Sequence, residues 1–190
     1  MKKSFLSVSI LCTILLAGCQ TPSSNQNTAP EQTPPAAPPP VSAETLQKKN
    51  AKLYFVALNG TDAAAAATEK IGCDDTLVGV RTDVSDINAA TPAEAALQKL
   101  LSVKDDQYEK SGLYNALYQS DLKVDGITVD DSKKATVKLS GTTQLGGVCD
   151  IPRFEEQLKA TVLQFSDTYK EVEFLINGKK MESVLSLKGE

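Results

Sequence analysis

The sequence contains no histidine in its 190 residues. Histidine is the commonest general base in enzymes and a frequent zinc ligand, so its absence narrows the catalytic and metal-binding functions open to the chain. Tryptophan is also absent and aromatic residues amount to 5%, which predicts a core built from Leu, Val, Ile and Ala. Basic residues are fewer than acidic residues, 20 against 24. We therefore expect no nucleic-acid partner, because phosphate binding needs a basic face.

The first residues have the order of parts of a bacterial signal peptide. Lys2 and Lys3 precede an apolar stretch from Phe5 to about Ala17. This stretch is well short of the roughly 20 residues that a membrane-spanning helix needs. We therefore expect an export signal here rather than a permanent transmembrane anchor.

Residues 16–19 read LAGC and resemble the lipobox of bacterial lipoproteins. The resemblance implies that residues 1–18 are removed as a signal peptide and that Cys19 carries fatty acyl chains such as palmitate. Two or three chains make a stable anchor, since each buried CH₂ contributes about 0.8 kcal/mol. We expect the protein to face the extracytoplasmic side of the cell membrane or outer membrane. The alternative is an ordinary secretory leader with a chance cysteine.

A proline-rich tether is predicted over residues 19–50. Between residues 20 and 43 the sequence is almost wholly Thr, Pro, Ser, Asn, Gln and Ala, and it holds seven of the nine prolines. Such a segment cannot bury enough apolar surface to offset its ordering entropy. In polyproline geometry, at about 3.1 Å per residue, it would hold a domain up to roughly 75 Å from the lipid.

The remaining chain predicts one α+β domain over residues 51–178, followed by a C-terminal tail at 179–190. The order β-β-α-β-β-α-β indicates a sandwich of a small, mainly antiparallel sheet packed against two helices. The run at residues 63–67 is compatible with a helical turn or a loop. Apolar periodicity predicts, in chain order, strands at 52–58 and 77–84, a helix at 92–103, strands at 122–129 and 135–139, a helix from 151, and a strand at 171–176.

Local signals set several boundaries. Thr91 is predicted to cap the first helix, with Glu94 completing a capping box. Asp150 is predicted to cap the second helix. Asp125-Gly126 interrupts the alternation of a strand and indicates a β-bulge, and the polar residues 130–133 indicate a hairpin turn.

Cys73 and Cys149 are the only cysteines in the predicted domain. A pair of thiols in an exported domain is typical of a disulfide. Such a bond would close a loop of about 76 residues and stabilise the domain by roughly 4 kcal/mol in the chain-entropy model. Two free buried thiols are the alternative, and we expect no metal site and no cofactor, because nothing completes a ligand set.

Other polar motifs have structural interpretations. Asp74-Asp75, Asp105-Asp106 and Asp130-Asp131 lie beside predicted turns without the spacing of a calcium loop, so solvated turn acids are expected. Gly146-Gly147 precedes a helix and could bind an anion, but a structural turn is favoured. Ser111 and Ser140 lack a recognisable base. A pairing of Ser140 with Lys138 stays open.

An ordered set of segments resembles the GerMN domain, named for the spore germination protein GerM. The resemblance covers roughly residues 51–178 and implies a non-enzymatic extracytoplasmic module with a compact α+β fold like the ring-building domains of secretion systems. The segments are TPAEAALQKLL (91–101), GLYNAL (112–117), ATVKLSG (135–141), the glycine pair at 146–147, and FLING (174–178).

Three tyrosines flank the loop after the first predicted helix. Tyr108, Tyr114 and Tyr118 would present an aromatic surface to a partner, or else cover the core. The leading hypothesis is a lipid-anchored, non-catalytic module that docks on a protein assembly of the cell envelope. The alternatives are a module that binds peptidoglycan and, less favoured, an envelope hydrolase.

Overall fold

The computed structural model describes residues 50–65 and 70–186, which form an α+β fold. The predicted fold class is confirmed, with the strands divided between two sheets. The predicted signal peptide, the lipidated cysteine and most of the tether lie outside the described residues. The elements are β1 (Asn50–Ala57), α1 (Asp62–Ala65), β2 (Thr76–Asp83), α2 (Pro92–Ser102), β3 (Asp121–Val129), β4 (Lys134–Thr142), α3 (Asp150–Leu163), β5 (Glu171–Ile176), β6 (Lys179–Lys180) and α4 (Met181–Leu185).

The first sheet is an antiparallel ribbon of β1 and β2. Every second residue of β1 from Ala51 to Ala57 is buried, as expected for a strand with one face on the core. The loop between α2 and β3 returns to this ribbon, where the backbones of Val56 and Tyr114 exchange hydrogen bonds of 2.8 and 2.7 Å. This loop is therefore held in place by a strand-like contact.

The second sheet has the order β3-β4-β5-β6. The register of the β3–β4 hairpin shifts between Val124 and Gly126, which confirms the predicted bulge. The hydroxyl of Ser132 and the backbone N–H of Lys134 donate to the carboxylate of Asp130 in the turn, and these hydrogen bonds lower the Asp130 pKa. β4 and β5 are parallel and are joined through α3, as parallel pairing requires a long crossover.

Helix α2 begins as predicted. The Thr91 hydroxyl accepts from the backbone N–H of Glu94 at 3.1 Å. The Glu94 carboxylate returns to the backbone N–H of Ala90, one residue before the cap, at 3.2 Å. The apolar face of the helix is buried against β1, β3 and α3.

The predicted cap of α3 is wrong. Asp150 lies inside the helix, and Cys149, which precedes it, makes no side-chain capping bond. The Asp150 carboxylate instead accepts from the Arg153 guanidinium, the Tyr114 hydroxyl and the Gly146 backbone N–H. The apolar face of α3 is buried through Phe154, Leu158 and Val162, and Phe165, just past the end of the helix, is partly buried.

The fold continues past residue 178. Residues 179–185, assigned to a tail from the sequence, form β6 and α4, and the side chains of Met181 and Leu185 are buried in the core. The core is mainly aliphatic, as predicted, but three phenylalanines are among its largest fully buried side chains: Phe55, Phe154 and Phe174. None of the helices in residues 50–65 and 70–186 is long and apolar enough to cross a membrane.

Candidate functional site

A disulfide joins Cys73 to Cys149, with the two Cα atoms 5.9 Å apart. This agrees with the predicted pairing. The bond connects a 3₁₀ turn at Gly72–Asp74, ahead of β2, to the residue that precedes α3. The turn and the helix approach closely, since a Cβ on Gly72 would lie 2.5 Å from Cγ of Pro152.

The residue after this turn is a buried acid rather than a solvated one. Asp75 has a side chain only 2% exposed, and it accepts from the Asn59 backbone N–H at 2.8 Å and from Nε of Arg153 at 2.6 Å. The expectation of a solvated acid is therefore wrong for Asp75. It holds for Asp74, which is exposed and pairs with Lys70 at 3.3 Å.

Arg153 binds two carboxylates at once. Its Nη1 donates to Oδ1 of Asp150 at 3.1 Å, and the Asp150 side chain is 4% exposed. Its guanidinium carbon also lies 5.3 Å from the ring centroid of Tyr114. Burial lowers the Arg153 pKa, but hydrogen bonds and charge from Asp75 and Asp150 outweigh burial and leave the Arg153 pKa raised.

Asp150 links this ion pair to the glycine turn. Its Oδ2 accepts from the Tyr114 hydroxyl at 3.0 Å and from the Gly146 backbone N–H at 2.8 Å. A Cβ at Gly146 would lie 2.7 Å from the same oxygen, so a larger residue here would displace the Asp150 carboxylate. Burial, and then the Asp150 charge, raise the pKa of Tyr114. The structural interpretation of the glycine pair is supported, because a protein carboxylate already occupies the Gly146 amide.

The three predicted tyrosines are all partly buried, and they do different things. Tyr108 stacks on Phe55 of β1, with ring centroids 4.3 Å apart. Tyr114 and Tyr118 meet edge to face at 6.3 Å, and the Tyr118 hydroxyl contacts the amide of Gln119.

Tyr114 and Tyr118 line an open depression of about 400 Å³. We call it the disulfide-side depression. Val148, between the glycine pair and the disulfide, is 68% exposed and is one of two large exposed apolar side chains in the described residues. The depression is lined by Tyr114, Tyr118, Gln119, Gly146, Gly147, Cys149, Asp150 and Arg153.

A buried glutamine supports the same loop from below. Oε1 of Gln157 accepts from the Ala116 backbone N–H at 2.7 Å, and Nε2 donates to the Tyr54 carbonyl at 2.9 Å. The Asn115 amide in turn donates to the Val103 carbonyl at 2.9 Å. These bonds fix the path of the loop that carries Tyr114 and Tyr118.

The sequence does not predict a role for Arg153 or Gln157, and it predicts a solvated turn acid at Asp75. A local signal existed for Arg153 alone, since it stands three residues after Asp150 on one helix face. Asp75 meets it only in three dimensions, across 78 residues of chain. For Asp75, the one local feature is its position two residues after Cys73, which does not indicate a buried ion pair.

The serines considered as nucleophiles have other partners. The Ser140 hydroxyl donates to the Asp125 carboxylate of the bulge at 2.8 Å, and the Ser111 hydroxyl donates to the Tyr108 carbonyl. Within residues 50–65 and 70–186, no group of three or more acidic or cysteine side chains is arranged to hold a metal ion.

A family model described as "Germane: Sporulation and spore germination" matches residues 52–182. The match agrees with the resemblance to a GerM-like domain found in the sequence, and it reaches past residue 178 into α4. No curated protein matches the chain, and no solved structure matches it.

Proposed function

Because the chain belongs to the Germane family of sporulation and spore germination proteins, we propose that it is a non-catalytic module that docks on a protein assembly of the cell envelope. The disulfide-side depression is the docking face. The family is not a known family of enzymes, and the role in sporulation or germination follows from the family.

The observation that supports docking most is that the polar cluster behind the depression is satisfied by its own members. One guanidinium stands between two buried carboxylates, Asp75 and Asp150, at 2.6 and 3.1 Å. The Tyr114 hydroxyl donates to the Asp150 carboxylate at 3.0 Å, and burial and the Asp150 charge raise the pKa of Tyr114. Groups bound to each other in this way fix shape and are poor candidates for proton transfer to a substrate.

The rim of the depression has the features of a protein contact. Val148 offers exposed apolar surface and Tyr118 offers a half-buried ring. Aromatic anchors beside a rigid backbone are typical of the residues that dominate binding energy. The disulfide and the Arg153 ion pairs hold this rim in one shape, which lowers the entropy cost of binding.

The proposal includes a lipid anchor at Cys19 and a tether over residues 19–50, supported by the LAGC sequence and the proline content. The anchor would confine the domain to a shell within roughly 75 Å of a membrane, on its extracytoplasmic side. Confinement raises the effective concentration of the module near a membrane-bound assembly.

Affinity capture tests the docking face. The tagged full chain is crosslinked in host cells and recovered from solubilised membranes, together with Val148→Asp. The matched control is Val129→Asp, which places the same charge on the other large exposed apolar residue, 50% exposed on β3. We expect Val148→Asp to lose a protein partner that Val129→Asp retains.

If the two variants recover the partner equally, the disulfide-side depression is not the docking face. If neither variant nor the unaltered chain recovers a protein above background, the chain does not dock on a protein assembly. Co-sedimentation with purified sacculi at low salt, insensitive to Val148→Asp, would instead favour the peptidoglycan-binding alternative.

A further inference from the structure

A second concave surface lies at the N-terminal end of β1, lined by residues other than those of the disulfide-side depression. We call it the β1-end groove. Its volume is about 590 Å³, within the range of small-ligand sites. Its walls come from the start of β1, the end of β2, the N-terminus of α2 and the loop at residues 164–169.

Two cations line this groove without a counter-charge of their own. Lys52 and Arg81 are directly opposite in the β1–β2 register, both are exposed, and neither forms an ion pair with a described residue. Like charges placed opposite each other on a ribbon are destabilising. An anion bound beside them would relieve that repulsion.

A buried tyrosine adds an unpaired donor. Tyr169 lines the groove with its side chain only 5% exposed, and its hydroxyl has no hydrogen-bond partner among the described residues. In this part of the chain, Oγ1 of Thr76 is the only fully buried side-chain polar atom without a partner. The Tyr169 hydroxyl is therefore reached by solvent from the groove. A ligand that enters the groove can therefore accept a hydrogen bond from this hydroxyl.

The backbone of β1 is closed to strand addition at this point. The Gln164 side chain accepts from the Lys52 N–H and donates to the Lys52 carbonyl, both at 2.7 Å. A ligand must therefore use the side chains of the groove rather than the edge of β1. Phe165 and Pro92 supply apolar wall beside the charged residues.

The charge balance selects the kind of anion. Among the described residues, Asp167 is the only acid that lines the groove against the two cations, so the described lining carries a single positive charge. A carboxylate carries one negative charge, whereas a phosphate monoester carries about 1.5 to 2. Asp167 would also repel a dianion and could accept from a peptide N–H.

We propose that the β1-end groove binds a carboxylate-bearing peptide segment of a protein partner. The carboxylate lies by Lys52 and Arg81 and accepts from the Tyr169 hydroxyl, and an apolar side chain packs on Phe165. The choice of a protein rather than a cell-wall peptide rests on the proposed function. The preference of the groove for a carboxylate does not depend on the proposed function.

A peptide array tests this proposal. Tetrapeptides of L-residues with free C-terminal carboxylates are compared with the same peptides as amides, and with peptides ending in D-alanyl-D-alanine, all probed with the purified full chain. We expect the L-carboxylates to be retained best. For the best peptide, Lys52→Gln/Arg81→Gln should weaken binding about tenfold or more.

Tyr169→Phe should weaken the same binding about three- to tenfold, since it removes one hydroxyl and leaves the buried ring. The control Lys110→Gln/Lys138→Gln removes two exposed lysines outside the groove and should leave the affinity unchanged. Val148→Asp should also bind the peptide normally, which separates this test from that of the docking face.

Equal retention of carboxylates and amides, or a preference that survives Lys52→Gln/Arg81→Gln, would overturn the site. Preference for D-alanyl-D-alanine ends, or displacement of the peptide by inorganic phosphate at lower concentration than by acetate, would overturn the proposed ligand.

Discussion

The disulfide-side depression and the β1-end groove use polar groups in opposite ways. Behind the depression, Arg153, Asp75, Asp150 and Tyr114 are bonded to one another. In the groove, the charged ends of Lys52 and Arg81 form no ion pair with a described residue. The Tyr169 hydroxyl forms no hydrogen bond with one. Polar groups that are hydrogen-bonded to one another fix the shape of a site, whereas polar groups without a protein partner can bind a ligand. In this domain, the largest cluster of charged side chains is therefore distinct from the groups that we propose bind a ligand.

The largest effect should come from removing the centre of the cluster. Arg153→Met leaves two carboxylates buried without a counter-charge, so we expect the free energy of unfolding to fall by about 3–5 kcal/mol. Denaturant unfolding measures it. Lys70→Met, which removes the partner of Asp74 in an exposed pair, should change stability little. Similar small losses in both variants would show that the cluster does not hold the fold.

The disulfide should come next. We expect Cys73→Ala/Cys149→Ala to lower the free energy of unfolding by about 2–4 kcal/mol, because the unfolded chain regains the freedom of the closed loop. In the native chain, alkylating reagent should label neither cysteine until the protein is reduced. Labelling without reductant would contradict the bond.

A smaller effect should follow from crowding the contact between the 3₁₀ turn and α3. Gly72→Ala places a Cβ 2.5 Å from Pro152, and we expect a loss of about 1–3 kcal/mol in thermal or denaturant unfolding. Gly147→Ala meets no atom within 4 Å and serves as the matched control. If the two variants have the same free energy of unfolding, the 3₁₀ turn and α3 are not in close contact at Gly72.

The smallest effect is in alkaline stability. The folded pKa of Tyr114 lies above its usual value of 10.0, so the folded state holds this proton more tightly than the unfolded state. The resulting stability is present below pH 10 and is lost as pH rises beyond it. The stability difference between wild type and Tyr114→Phe should therefore shrink above pH 10. A difference that is constant up to pH 11 would contradict the raised pKa of Tyr114.

Local features of the fold were predictable because their causes are local. The Thr91 cap, the Asp125-Gly126 bulge and β5 each follow from a few neighbouring residues. Helix α4 was missed because five residues hold less than two turns of periodicity, although Met181 and Leu185 stand four apart on one face.

The site could be predicted only in part. Cysteine number indicated the disulfide, but the Asp150 cap failed because Arg153 and Tyr114 compete for its carboxylate. The sequence predicts a solvated Asp75, because nothing near it along the chain indicates an ion pair with an arginine 78 residues away. The sequence gives no sign that the Tyr169 hydroxyl lacks a partner, because this depends on which residues surround it in the fold.

Photocrosslinking in cells tests the central claim most directly. A photoreactive phenylalanine analogue replaces Val148 in one full chain and Val129 in another, and crosslinked partners are compared after illumination. We expect a discrete crosslinked protein from position 148, beside the disulfide, and none from position 129. The same crosslinks from both positions, or crosslinks from position 129 alone, would contradict it.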